Sequence, residues 1–256
     1  MNVEDRGMLI GMVFGDGHIS VRKRLKSGKY EYESSELVIK HSVAQQDYCL
    51  HKAALVRGIF GGKFTVRNGV TKLNEKEYYW VHFTKSHSYF RILKSLLYPE
   101  GKKRFTRQAL EMLTPAGIAL WYMDDGNART NLSDKTGFVS SCSTQIATMC
   151  SKEEVDEIVN YFLRVHEIEF KVRFDRRQTE GKQYYIEANT ANSQKFARLI
   201  KPYVIPSMLY KLAHVANLNT HECKAPVLKC SVCGNPTFTA NRRKSMCSAC
   251  YSRQNR

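Results

Sequence analysis

The chain has 256 residues and carries 40 Lys and Arg against 24 Asp and Glu, a formal net charge of +16. That length buries a sizeable core, in one large domain or two or three smaller ones, and the charge selects a polyanionic partner, nucleic acid ahead of an anionic membrane surface. No run of about 18 apolar residues is present to cross a membrane, and Glu4, Asp5 and Arg6 replace the basic-then-apolar opening of a secretion signal. An intracellular protein is therefore expected, in a phage or bacterial cytoplasm or an organelle. Of eight cysteines, Cys49, Cys142, Cys150 and Cys223 are scattered and four are clustered near the end. In a reducing compartment that clustering points to metal, not disulfides.

Residues 3–15 read as a helix in which Gly11 and Gly15, four apart, leave one face nearly bare for a second helix. Each Gly costs on the order of 1 kcal/mol of helix stability relative to Ala, so a packing or functional reason is expected. From His18 the period changes to two. Ile19, Val21 and Leu25 alternate with Arg22, Arg24 and Lys26, giving a strand with an apolar and a basic face. A turn at Ser27-Gly28-Lys29 leads to a strand over 31–41. A helix over 43–58 follows, with Tyr48, Leu50, Ala54 and Leu55 as its apolar positions. Strands at 63–68 and 77–84 and a helix at 87–98 complete the first half. The second half repeats this order: a helix over 115–124 opened by Thr114-Pro115, strands at 127–132 and 137–144, a helix over 151–166 with Ser151 and Glu154 as a capping box, strands at 169–175 and 183–188, and a helix over 191–201.

Two stretches stand out in this repeat. Leu9-Ile10-Gly11-Met12-Val13-Phe14-Gly15-Asp16-Gly17 and Ile118-Ala119-Leu120-Trp121-Tyr122-Met123-Asp124-Asp125-Gly126 each end an apolar helix on an acid before Gly. Asp16 and Asp125 are 109 positions apart and Lys103 and Lys211 are 108 apart, the near-register of an internal duplication. Two helices packed side by side would bring Asp16 and Asp125 to one place. Carboxylates so placed repel one another and favour a divalent cation. Hard oxygen ligands suit Mg²⁺, which completes its shell with water and substrate phosphate and assists in-line displacement at a phosphodiester. The basic strand faces would hold a duplex beside it. A two-stranded ribbon enters the major groove, and Arg22, Arg24, Lys26, Lys40, Lys63, Arg67, Lys171 and Arg173 are the candidates for DNA contact.

These two stretches resemble the paired LAGLIDADG motifs of homing endonucleases. The chain looks like a single-chain member with both halves fused. The second motif and Leu199-Ile200-Lys201-Pro202-Tyr203-Val204-Ile205-Pro206-Ser207-Met208-Leu209-Tyr210-Lys211-Leu212 are most similar to the yeast mitochondrial intron endonuclease branch. The resemblance covers roughly residues 3–215. It implies an α+β fold of two pseudo-symmetric αββαββα halves (residues 1–112 and 113–215) packed through the motif helices. The implied activity is metal-dependent double-strand cleavage of a long, partly palindromic DNA site by a monomer, promoting homing of an intron or intein-like element. An intron-binding splicing maturase, with intron RNA as partner, and a catalytically idle DNA-binding protein are the alternatives on the same scaffold. By the same resemblance Asp16 and Asp125 are the metal-binding acids, with the preceding Gly15 and Asp124 in the metal set. Lys103 and Lys211 lie beside the scissile phosphates, where they would stabilise developing charge or polarise water. Gln145 and Gln45 are candidates to hold a water. Leu120 and Asp124 stand where the family has small residues, so the helix interface should be asymmetric.

The tail changes character. Residues 216–229 read as a linker containing Pro226, and residues 223–256 hold seven Lys or Arg and no acid. Cys230 and Cys233, then Cys247 and Cys250, have the spacing of a structural Zn²⁺ site. A segment this short would fold around its metal, making 230–256 a four-cysteine zinc ribbon. Arg242 and Arg243 between the knuckles would reach phosphate and extend the DNA footprint.

Overall fold

The computed structural model of the chain describes residues 1–26, 30–73, 76–132, 139–175, 184–212, 215, 228–237, 240–241 and 246–254. Two helices form its centre. Helix α1 (Val3–Phe14) starts at a capping box in which Asn2 and Asp5 satisfy each other's backbone N–H groups, and Leu9 to Phe14 are all buried. Helix α5 (Pro115–Asp125) starts at Thr114, whose side chain accepts from the Gly117 N–H, and is buried from Ala116 to Met123. Helices that are apolar all round belong in an interior, and α1 and α5 lie against each other. Their contact is made by small residues. A Cβ on Gly11 would stand 2.0 Å from the Gly117 carbonyl oxygen, and one on Gly117 would stand 2.2 Å from that of Gly7. The expected asymmetry is present at the end of the contact, where Gly15 faces the Asp124 carboxylate.

Each half then continues as read from the sequence. In the first, β1 (His18–Lys26), β2 (Tyr30–Ser42), α2 (Gln46–Phe60), β3 (Thr65–Leu73), β4 (Lys76–Ser86) and α3 (Tyr89–Leu97) follow α1. In the second, β5 (Gly126–Leu132), β6 (Val139–Ala147), α6 (Lys152–His166), β7 (Lys171–Phe174), β8 (Tyr184–Ala188) and α7 (Thr190–Ile200) follow α5. Both sheets are antiparallel and share one order, β1-β2-β4-β3 and β5-β6-β8-β7. Alternate strand residues, Leu37 and Ile39, Val81 and Phe83, Ile146 and Ile186, point inward to a single core that also takes in the two central helices. The opposite faces are polar.

Several details depart from the sequence reading. In α2 the buried positions are Tyr48, Cys49, Lys52, Ala53 and Val56, while Leu50 is 41 % exposed and Ala54 lies on the surface. The helix is turned so that a lysine, not a leucine, faces inward. Its first turn is a separate 3-10 turn, Val43–Gln45. Strand β3 begins at Thr65, past Lys63, and runs on through Asn68-Gly69 to Leu73. Gly69 is held in the strand because the Trp80 indole covers it, 2.2 Å from where a Cβ would stand. Helix α4 (Arg107–Glu111), capped by Thr106, links the halves and had no apolar period to announce it. In the tail, β9 (Leu228–Lys229) pairs with β10 (Pro236–Thr237), β11 (Ala240–Asn241) pairs with β12 (Met246–Cys247), and α8 (Ser248–Gln254) closes the described part of the chain. Most of the expected linker, Pro226 included, lies outside the described residues.

Candidate active site and nucleic-acid interface

The ends of α1 and α5 meet at one place. Asp125 is the last residue of α5, and Asp16 follows the C-terminal turn of α1. Each helix end leaves carbonyls without intrahelical partners, and each receives a lysine from the far end of its own half. Lys103 Nζ donates to the carbonyls of Val13 (3.0 Å), Phe14 (3.2 Å) and Gly15 (3.0 Å). Lys211 Nζ donates to those of Met123 (2.5 Å) and Asp124 (2.9 Å). A cation at a helix C-terminus also opposes the helix dipole. The near-equal sequence spacings thus correspond to two copies of one motif: a helix end, an acid and a capping lysine.

The electrostatics are those of a crowded acidic site. Burial, and then Asp124, raise the Asp16 carboxyl above the usual carboxylate range. Burial, then Asp124 and Asp16, push Asp125 up to about 7. Lys103 and Lys211 are lowered from the ordinary lysine value by burial, against the pull of the acids. Asp124 raises the proton affinity of both carboxyls and Asp16 that of Asp125, a crowding that a divalent cation would relieve.

Asp124 does something else. Its side chain is fully buried, and both carboxylate oxygens accept from Lys52 Nζ, at 2.6 and 2.7 Å. Oδ2 also accepts the Asp16 N–H at 3.0 Å. The Asp124 carboxylate is therefore taken up inside the helix interface, and Asp124 has its main-chain oxygen to offer a metal. Lys52 is itself fully buried, 4.3 Å above the Tyr48 ring and 3.1 Å from His41 Nε2. Asp16, His41 and Asp124 each have a ligand-type atom within 4.8 Å of the others, and the cation already among them is Lys52. Neither Lys52 nor His41 was singled out in the sequence. The signal was available: Lys52 sits at a core position of α2, and His41 continues the inward-facing Leu37 and Ile39 of β2. A buried lysine requires an acid partner.

The outer sheet faces hold part of the expected DNA-contact set. Lys40 pairs across the sheet with His82, and His82 with Arg67, placing three basic side chains in a row. Lys40 Nζ lies 4.5 Å over the Trp80 ring. In the second sheet Asn127, Gln145, Glu187 and Lys171 form a row across four strands. Glu187 accepts from Gln145 Nε2 (2.7 Å), Arg173 Nε (2.8 Å) and Ser143 Oγ (3.1 Å). Gln145 thus belongs to a strand-face network. Gln45 ends the 3-10 turn before α2, and its side chain stands beside His41. Lys63 is exposed, but ahead of β3, and its carbonyl accepts from Lys85. The side chains of Arg22, Arg24 and Lys26, and all of Arg242 and Arg243, lie outside the described residues.

In the tail the four sulfurs of Cys230, Cys233, Cys247 and Cys250 lie within 4.8 Å of one another. Cys233 and Cys247 Sγ are 4.0 Å apart. Sulfurs around a tetrahedral Zn²⁺ at about 2.3 Å stand roughly 3.8 Å apart, so this cluster fits such an ion. Cys230 Sγ accepts the N–H groups of Cys247 (3.3 Å) and Val232 (3.5 Å). The N–H groups of Cys247, Cys233 and Val232, in that order, bring its thiol down to about 6, in the direction a metal-ligating thiolate requires.

Residues 6–196 match the model of the LAGLIDADG DNA endonuclease family. The chain belongs to this family. Its likeness to relatives is distant but broad. It is 28% identical over 208 residues to the protein RecA of Mycolicibacterium flavescens, covering 80% of this chain and 45% of that one. It is 25% identical over 221 residues to the cytochrome b mRNA maturase bI2 of Saccharomyces cerevisiae, 84% and 48% covered. It is also 26% identical over 209 residues to a probable intron-encoded endonuclease 1 of Wickerhamomyces canadensis, 80% and 81% covered. The chain thus spans about half the length of several curated relatives it matches. Among solved structures, the homing endonuclease I-WcaI bound to its DNA recognition sequence shares the fold, with a TM-score of 0.63 at 22% identity over 82% of this chain and 86% of that one. No described helix is long and apolar enough to cross a membrane.

Proposed function

We propose that this protein is a site-specific DNA endonuclease that hydrolyses a phosphodiester in each strand of a long, partly palindromic duplex, with Mg²⁺ as cofactor. The observation that carries the reading is the duplicated arrangement of Asp16 with Lys103 and Asp125 with Lys211 at the ends of two abutting helices. A structural scaffold needs neither acid there, whereas cutting two strands needs two such groups. Asp16 and Asp125 would hold the ion, which supplies charge neutralisation at phosphate and an acidified water. Lys103 and Lys211, anchored on the helix ends, bring positive charge to the place where the phosphorane gains negative charge. The Lys40, His82 and Arg67 row and the Gln145, Glu187, Arg173 and Lys171 network are the reading faces. They are set on rigid strands that fit the major groove.

The tail is assigned a structural Zn²⁺ on Cys230, Cys233, Cys247 and Cys250. Four thiolates close the coordination shell, so this ion organises the module and takes no part in hydrolysis. Residues 230–256 then add affinity for flanking DNA.

The test is incubation of the purified protein and Mg²⁺ with plasmids carrying intron-less versions of the locus from which the gene comes. Wild type should linearise one of them, and Asp16→Asn and Asp125→Asn should not. Absence of cleavage at every candidate locus, together with specific binding of the intron transcript, would replace this reading with that of a splicing maturase.

A further inference from the structure

We infer that the buried Asp124–Lys52 ion pair, with His41 beside it, positions Asp16 for one of the two strand cuts and has no counterpart serving the other. The inference rests on the endonuclease reading above and assigns residues that reading leaves unused.

The two acids are not held alike. Asp125 ends α5 within helical backbone. Asp16 lies beyond α1, and its side chain is 47% exposed. Its backbone N–H is fixed by Asp124 Oδ2 at 3.0 Å, and that oxygen is also held by Lys52 at 2.7 Å. The carboxylate meets His41, whose Nδ1 is buried, makes no hydrogen bond and faces Asp16 Oδ2 at 3.5 Å. Main chain and side chain of Asp16 are therefore both referred to one buried cluster, assembled from α5, α2 and β2. Lys52 gives that cluster a charge that cannot wander, since its ammonium has no solvent exposure and its partner carboxylate none either.

Among the described residues, neither member of the ion pair recurs around Asp125. The position matching Asp124 in the first motif is Gly15, which has no side chain. Room for the device depends on that difference, since a Cβ on Gly15 would stand 2.0 Å from Asp124 Oδ2. Lys52 is the seventh residue of α2, and the seventh residue of α6, a helix of the same 15-residue length, is Ile158, fully buried in the core. The two cuts thus draw on differently supported acids, although the fold around them is duplicated.

The test uses the full-length protein, Mg²⁺ and a supercoiled plasmid carrying the site cleaved in the experiment above, with the ends of the two strands labelled separately. In Lys52→Met with Asp124→Leu the pair is removed together, so no lone charge is left buried. DNA affinity should stay within about threefold of wild type, while one strand is cut at least about tenfold more slowly and nicked circles accumulate. Lys52→Met with Asp124→Asn keeps an oxygen to accept the Asp16 N–H and should recover part of the lost rate on that same strand. His41→Leu, which leaves the ion pair intact, should slow the same strand again. Should the first double variant fail to fold, the His41→Leu result decides alone. Equal slowing of both strands, or of neither, would overturn the inference and leave the pair a scaffold element. A wild type that cuts nothing would instead refute the endonuclease reading.

Discussion

The closeness of α1 and α5 can be tested with one substitution made in two helices. Gly11→Ala adds a single methyl at the crossing point, 2.0 Å from the Gly117 carbonyl oxygen and 2.5 Å from its carbonyl carbon. Ordinary contact requires about 3.4 Å, so the helices must part by more than an ångström, and the obstacle is main chain that cannot rotate away. Overpacking a core costs about 1–3 kcal/mol, and immovable backbone places this case at the upper end, against the roughly 1 kcal/mol that Ala gains over Gly in a helix. A net loss of about 2 kcal/mol follows, or roughly 4–8 °C in Tm for a domain of this size. Gly58, in the interior of α2, has no atom within 4 Å of its would-be Cβ. There Gly58→Ala should stabilise by about 0.5–1 kcal/mol. Thermal unfolding followed by circular dichroism gives both values, and plasmid cleavage by Gly11→Ala should fall more than its DNA binding, because the helix ends carry the acids. A Gly11→Ala protein as stable as wild type would refute the backbone contact on which the site's geometry depends.

Four further outcomes follow from other parts of the molecule. Lys52→Met alone leaves the Asp124 carboxylate buried without a cation and should cost about 3–5 kcal/mol in urea unfolding; a double variant with Asp124→Leu that is no more stable than the single one would contradict a coupled pair. Lys103→Ala removes the donor to three carbonyls of α1 and should slow cleavage at least about tenfold at unchanged Mg²⁺ affinity; an unchanged single-turnover rate would remove Lys103 from the machinery. Asp125 binds its proton up to about pH 7 when folded, against 3.8 when unfolded. Its contribution to stability is therefore full below about pH 4 and is lost as pH rises to 7. His41, pushed down to about 4, acts with the opposite sign across that window. The diagnostic is thus the metal-free stability of wild type minus that of Asp125→Asn, which should shrink from about pH 4 to 7; a difference that grows with pH would show the carboxyl to be depressed instead. Finally, Cys233→Ser should release zinc to a chelating dye and weaken DNA binding while the main melting transition stays put; unchanged affinity would dissociate the tail from DNA.

Much of this site was legible because it is written twice. Asp16 and Asp125 could be found by position alone, and Lys103 and Lys211 by their matching distance from them. The capping box at Ser151 and Glu154 and the Gly11–Gly15 face also translate directly into structure. What could not be read is what is written once. Lys52 lies in a helix whose apolar residues fit two faces, one through Leu50 and Ala54, the other through Cys49, Ala53 and Val56. Periodicity cannot choose between them when the deciding residue is a lysine, whose burial depends on a carboxylate 72 positions away in sequence. The same limit applies to Gln145. Its parity on β6 places it on the outer face, but its partner Glu187 comes from a strand whose register only the fold fixes.

The single copy of the Lys52 cluster bears on how a duplicated scaffold serves an unequal target. A strictly symmetric interface would require the residue before each acid to be small on both sides, as Gly15 is. With Asp124 on one side, its carboxylate must be neutralised in the interior, because a buried charge without a partner is far more costly than the pair. Lys52 answers that requirement from α2, and Gly15 must then stay without a side chain to leave room. The three positions are consequently coupled: changing Gly15 displaces Asp124, changing Asp124 strands Lys52, and each change is transmitted to the Asp16 N–H. Divergence between the halves can therefore proceed freely on the outer faces of the sheets, where Lys40 and Arg67 differ from Lys171 and Arg173 in their partners. At the helix ends it must proceed by sets of residues.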